Sequence, residues 1–124
     1  MYFCDTYALI EYARSNSQYA SIINSNSIVT SDFQLMELYY FVLKDVSEDS
    51  ANKIYEAFYQ FRVEIPESII KRAMKIRLEF HKNKKRISYV DAIGYAYSLE
   101  HKIEFLTGDK SFEDVAGVKW IHSD

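Results

Sequence analysis

The chain is poor in the residues that make turns, with three glycines and one proline in 124 residues. Few reversals can be glycine-built, so helices should dominate. A single cysteine, Cys4, excludes an internal disulfide and suits a reducing compartment. No apolar run approaches the roughly 18 residues of a membrane span. No basic segment precedes an apolar run at the N-terminus, and Asp5 interrupts the run that is there. The expectation is a cytoplasmic protein with no membrane partner. His81, His101 and His122 make no metal-ligand spacing with one another or with Cys4. They read as ordinary surface or packing residues.

What is present is an ordinary globular composition, 48% hydrophobic and 27% charged, unusually rich in aromatics with 11 Tyr and 8 Phe. The length fits a single domain over residues 1–124. The net charge of −3 alone argues against a nucleic-acid partner. Its distribution does not. Residues 71–86 hold eight Lys/Arg against one acid, Glu79, a local balance of +7, while the rest of the chain carries −10. Clustered cations beside an acidic site can hold a phosphate backbone that the site alone would repel. The plainer reading of such a run is a solvated helix face.

The pattern along the chain is strand then helix, repeated. Tyr2 to Asp5 is a short strand, and a helix pattern runs from Tyr7 to Arg14. Residues 15–27 are rich in Ser and Asn and read as a weak helix or a loop. A second strand covers Ser27–Thr30. Ser31 or Asp32 then caps a helix running to about Asp45, with Ser31 and Gln34 at capping-box spacing. That helix is apolar on nearly every face, so it should be mostly buried. Further helices are expected over Val46–Phe61 and Glu67–Lys84, and from Ser88 onward. Further strands are expected at Arg62–Ile65, Glu104–Thr107 and Val118–Ile121. Strands separated by helices imply parallel pairing with right-handed crossovers, an α/β domain with about five short strands.

Four acids stand out. Asp5 follows the first strand, although an N-cap role explains it as well. Glu37 sits in the most apolar helix, where a charge is costly unless paired, hydrogen-bonded or bound to a cation. Asp91 opens its helix at capping-box spacing from Ser88. On its face Gly94 and Ser98 are small, so a ligand or a tightly packed neighbour comes close there. Asp109 follows the fourth strand. In a 3-2-1-4-5 strand order Asp5 and Asp109 meet where the order reverses, the usual ligand crevice of such sheets. Hard oxygen donors without Cys/His spacing favour Mg²⁺ or Mn²⁺. Cys4 should point to the opposite side of its strand from Asp5, into the core. The exposed aromatics Tyr39, Tyr40, Tyr55 and Tyr59 suit either core packing or self-association.

These pieces resemble the PIN-domain ribonucleases, in particular the short stand-alone VapC-type toxins. The resemblance rests on Phe3-Cys4-Asp5-Thr6 with Leu9, on Leu35-Met36-Glu37-Leu38, on Ser88-x-x-Asp91-Ala92 with Ala96, and on Leu106-Thr107-Gly108-Asp109-Lys110-Ser111-Phe112. It spans nearly the whole chain. It implies a three-layer Rossmann-like fold, Mg²⁺ or Mn²⁺, endonucleolytic cleavage of RNA, frequent homodimers and, for the toxins, an antitoxin protein. Carried over, it makes Asp5, Glu37, Asp91 and Asp109 the catalytic and metal-holding acids. Thr6 and Thr107 are supporting hydroxyls, and Asp114 is a further acid that reads as surface. Lys82, Lys84, Lys85 and Arg86 would contact the RNA backbone. Tyr7 departs from the family, being bulkier than the small residue or Asn often found there, which narrows the pocket mouth.

Three other readings compete. A phosphoacceptor receiver domain needs an Asp after the third strand, where Ile65-Pro66-Glu67 stands, and a Lys after the fifth, where there is none. An inactive PIN scaffold would bind RNA or protein without cutting. A DNA-directed nuclease of related architecture is separated from an RNA enzyme here only by the resemblance.

Overall fold

The computed structural model describes residues 1–122. Its strands are β1 Tyr2–Cys4, β2 Ile28–Ser31, β3 Arg62–Val63, β4 Glu104–Thr107 and β5 Val118–Trp120. They form one five-stranded sheet, parallel as the strand–helix alternation led us to expect, in the order β3-β2-β1-β4-β5 that brings Asp5 and Asp109 to the same crevice. The helices are α1 Thr6–Ala13, α2 Ser17–Ser25, α3 Asp32–Asp45, α4 Glu48–Tyr59, α5 Glu67–Lys82 and α6 Tyr89–His101. A 3-10 turn follows at Lys110–Phe112.

The three layers come from strand alternation. Register pairs Phe3 with Phe105 and Cys4 with Leu106 across β1 and β4. Side chains alternate between sheet faces along a strand. Phe3 and Phe105 thus join one core with Ile69, Ala73, Ile93 and Ala96 from α5 and α6. Cys4 and Leu106 join the other, with Leu9, Leu35, Leu38 and Phe58 from α1, α3 and α4. Cys4 is buried within that core, where burial pushes its thiol above the usual range. Among the described residues no helix is long and apolar enough to cross a membrane.

Several local expectations are revised. Residues 17–25 form a regular helix, because Asn16 caps Gln18 N–H and Tyr19 and Ile23, one turn apart, reach the core. Helix α3 buries one face only, through Gln34, Leu35, Leu38 and Val42. Met36 and Tyr40 stand 56% and 64% exposed on its other side, because the core shared with α1 and α4 covers α3 on one face only. Strand β3 stops at Val63 rather than Ile65. Its partner β2 ends at Ser31, paired with Val63, where the chain turns into α3. Ser31 and Gln34 do not form a capping box. The Ser31 hydroxyl accepts from Phe33 N–H and donates to Gln34 Oε1, while Gln34 Nε2 donates to the Val90 carbonyl of α6 at 3.0 Å. Gln34, fully buried, therefore ties α3 to the start of α6.

Candidate active site

The strand order reverses between β1 and β4, and Asp5 stands just past the end of β1. It is 1% exposed. Its Oδ1 accepts from Thr6 N–H at 2.8 Å, so the capping role is real. Its Oδ2 accepts from the Thr107 hydroxyl at 2.8 Å, across the gap to β4. The same hydroxyl accepts from Asp109 N–H at 3.1 Å. Thr107 thus links Asp5 and Asp109 through one oxygen. On the other side the Thr6 hydroxyl donates to Glu37 Oε1 at 2.6 Å, bringing α3 to α1. Asp91 forms both halves of a capping box with Ser88, each bond 3.0 Å. Asp109 Oδ1 accepts from Ser111 N–H at 2.9 Å.

Electrostatics places these acids within one another's field. Burial first, then the Asp91 carboxylate, raises Asp5 well above the ordinary carboxyl range, with Asp109 adding to the effect. The bonds from Thr107 and Thr6 oppose it. Asp91 is raised chiefly by burial and further by Asp109, while hydrogen bonding to Ser88 and Asp5 acts the other way. Glu37 is raised by burial and by Asp91, against the Thr6 hydrogen bond. Two unit charges about 5 Å apart repel by about 3 kcal/mol at an effective dielectric of 20. A hard divalent cation relieves such crowding, and the donor set, all carboxylate, suits Mg²⁺ or Mn²⁺. Yet among the described residues no group of three or more His, Cys, Asp or Glu side chains is gathered so that it could hold an ion. Asp5, Asp91 and Asp109 each have an oxygen held by a donor close by in the chain, and Glu37 has one held by the Thr6 hydroxyl.

Gly94 lies on the Asp91 face, and the close approach there is packing. A Cβ at Gly94 would lie 2.7 Å from Phe105 Cε1, 2.8 Å from Phe3 Cε1 and 2.9 Å from Gln34 Nε2. Ser98 is buried and donates to the Gly94 carbonyl.

The basic segment divides. Lys71 and Arg72 pair with Glu67 and Glu100 on the helical layer, and Arg77 Nε donates to the Ile87 carbonyl. Lys82, itself 3.4 Å from Glu79, ends α5. Lys84, Lys85 and Arg86 lie in the loop beyond, where Lys84 has a left-handed backbone, φ 63°. The Ser111 hydroxyl donates to the Arg86 carbonyl at 3.2 Å, and Ser111 N–H bonds Asp109. One serine therefore fastens the basic loop to the acidic edge. His81 faces the Ile87 carbonyl and His101 stacks on Tyr97 at 4.0 Å, away from any ligand set. Asp114 is exposed, with φ 63°.

The ties that Gln34 makes to Val90, Ser111 to Arg86 and Trp120 to Asp109 escaped the reading of the sequence. Trp120 Nε1 donates to the Asp109 carbonyl at 2.9 Å. A polar Gln in an apolar helix carried the same signal as Glu37. Ser111 and Trp120 carried none that was local. Tyr7, Gly108, Asp109, Lys110, Trp120 and His122 line a cleft of about 480 Å³ beside the acids.

Fold and site together define an α/β domain of the Rossmann-like kind whose carboxylates crowd the carboxyl edge of its central strands. The chain belongs to the PIN domain family, whose model matches residues 2–118. Solved structures share the fold. A toxin–antitoxin complex from Klebsiella pneumoniae aligns with TM-score 0.76 at 21% identity, over 96% of each chain. The sarcin–ricin-loop-cleaving toxin VapC20 of Mycobacterium tuberculosis aligns with TM-score 0.80 at 15% identity, over 99% of this chain and all of that one. VapBC2 of Rickettsia felis, bound to a DNA fragment from its promoter, aligns with TM-score 0.76 at 16% identity, over 99% and 98%. No curated protein sequence matches the chain.

Proposed function

We propose that this single domain, residues 1–124, is a divalent-metal-dependent endoribonuclease acting in the cytoplasm as the toxin of a toxin–antitoxin pair. The observation that carries it is the meeting of Asp5, Asp91 and Asp109 at one sheet edge, with Glu37 held there by Thr6. Asp5, Glu37, Asp91 and Asp109 would hold Mg²⁺ or Mn²⁺. Such an ion supplies an activated water at neutral pH and offsets charge developing on the phosphate. The chain's own residues do the rest. Thr6 and Thr107 fix the orientation of Glu37 and Asp5. Glu37 and Asp91, both raised above the ordinary range, are the candidates to orient the attacking water and take its proton. Lys82, Lys84, Lys85 and Arg86 would grip the RNA backbone without reading sequence. The neighbours' assemblies support an antitoxin partner. The exposed Met36 and Tyr40 face suits that partner or a second copy in a homodimer.

The test uses matched RNA and DNA strands with Mn²⁺, with and without a chelator. Metal-dependent loss of RNA but not DNA is expected, and Asp5→Asn or Asp91→Asn should abolish it. Variants that cut as fast as the parent would refute the assignment.

A rival reading, a PIN scaffold that binds without cutting, draws on the acids' not being gathered around an ion position. RNA binding with no turnover at any Mn²⁺ concentration would favour it.

A further inference from the structure

We infer that the cleft beside Asp109 is a stacking subsite for one unpaired nucleobase of single-stranded RNA. The inference rests on the nuclease reading and names the form of RNA that the site takes. The rings of Tyr7, Trp120 and His122 line this cleft, from the first turn of α1, the end of β5 and the residues that follow. Its volume, about 480 Å³, falls within the range of small-ligand sites.

The two anchoring rings are held in advance. A Cβ at Gly108 would lie 2.4 Å from Tyr7 Cε1 and 2.7 Å from the Tyr19 hydroxyl, so Tyr7 lies directly against bare backbone. Tyr19, the far wall of that contact, donates to the Ile121 carbonyl at 2.8 Å. The indole of Trp120 is fixed by its bond to the Asp109 carbonyl, and β5 is fixed by pairing Trp120 with Thr107. His122 lies 5.6 Å from Trp120 with the planes 30° apart.

The occupant follows from the chemistry of the walls. Flat apolar faces select a flat apolar-faced group; Lys110 in the same wall stands against two carboxylates, Asp109 and Glu113, so the rings and not the charge choose the occupant. Asp109 belongs both to this cleft and to the acidic edge. A strand whose phosphate lies among the acids therefore passes its adjoining base to these rings. Base-paired RNA keeps its faces covered, whereas unpaired bases are free to stack on aromatic side chains.

Trp120 is the only tryptophan, so its emission reports this cleft alone. The test titrates the protein, with Mg²⁺ present, with a short 2′-O-methyl phosphorothioate strand that resists hydrolysis. A strand of the same backbone without bases is the control, and anisotropy of end-labelled strands reads binding separately. Saturable quenching by the base-bearing strand and none by the abasic one is expected. Tyr7→Leu should weaken binding about ten-fold, as loss of one stacked base does, while Tyr7→Phe should bind as the parent does. Equal response to both strands, binding without quenching, no binding, or Tyr7→Leu matching the parent would each overturn the inference. A parallel cleavage assay on ordinary RNA separates the two readings. A protein that cuts RNA with no base-dependent quench keeps its nuclease role and loses this subsite. One that quenches without cutting does the reverse.

Discussion

Replacing Asp5 by Asn should stabilise the metal-free protein. The carboxylate is buried and faces Asp91 and Asp109, so its charged form is disfavoured in the fold. One like-charge neighbour about 5 Å away costs about 3 kcal/mol at an effective dielectric of 20. Against this, the carboxylate accepts two hydrogen bonds, from Thr6 and Thr107. A charged acceptor outdoes a neutral one by about 1 kcal/mol per bond. Asn caps a helix about as well as Asp, and the Thr107 hydroxyl can turn to accept from its amide. The net gain is about 1–2 kcal/mol, or about 4–8 °C in Tm for a domain of this size. The sign with pH follows. A carboxyl raised in the fold keeps its proton after the unfolded chain has released its own. The Asp5 contribution to wild-type stability is therefore greatest below the ordinary Asp range and is lost as pH rises through the raised value. Asp5→Asn should flatten that fall. The assay is thermal unfolding in chelator across pH, repeated with Mn²⁺, which should raise the parent's Tm more than the variant's. An Asp5→Asn protein that melts below the parent in chelator at neutral pH would show that the two hydrogen bonds outweigh burial and repulsion.

Three further outcomes are expected. Gly94→Ala gains about 1 kcal/mol in helix propensity but must displace two phenyl edges and the Gln34 amide; overpacking costs about 1–3 kcal/mol, so the denaturant midpoint should fall. Gln34→Leu removes two buried hydrogen bonds, to the Val90 carbonyl and from the Ser31 hydroxyl, and leaves that hydroxyl's proton without an acceptor, a loss of about 1–3 kcal/mol, read by urea unfolding. Replacing Lys84, Lys85 and Arg86 together by Ala should weaken RNA binding at low salt and flatten the dependence of log Kd on log salt by about 0.7 for each phosphate no longer neutralised, with little change in sequence preference.

The strands, the helices and their parallel pairing were legible because they depend on patterns of period two and of three to four residues, which a chain displays openly, whereas the 3-2-1-4-5 order was a supposition and the three layers came with the family resemblance. The acids were legible for a different reason. A carboxylate placed just after a strand or within an apolar helix conflicts with its surroundings, and Asp5 and Glu37 both show that conflict. What the sequence concealed depends on how much of each surface is covered. Helix α3 looked mostly buried from its composition, yet only the side bearing Leu35, Leu38 and Val42 reaches the core. The Ser31–Gln34 spacing resembled a local cap, but Gln34 spends its amide on Val90, 56 residues away. Trp120 could not be tied to Asp109 by strand order alone, because the bond depends on the register that sets Trp120 beside Thr107. Gly94, on the Asp91 face, left packing and ligand equally open until the rings of Phe3 and Phe105 were seen against it.

The place of β1 bears on how the protein is made. The segment at the middle of the sheet has its neighbour on one side, β4, more than one hundred residues downstream, Tyr2 pairing with Glu104. Contacts so distant in sequence form late and slowly. Asp5 and Asp109 therefore stay apart until the chain has grown through β4 and that strand has paired with β1. The acidic edge is among the later parts of the fold to assemble, after the helices that flank β1.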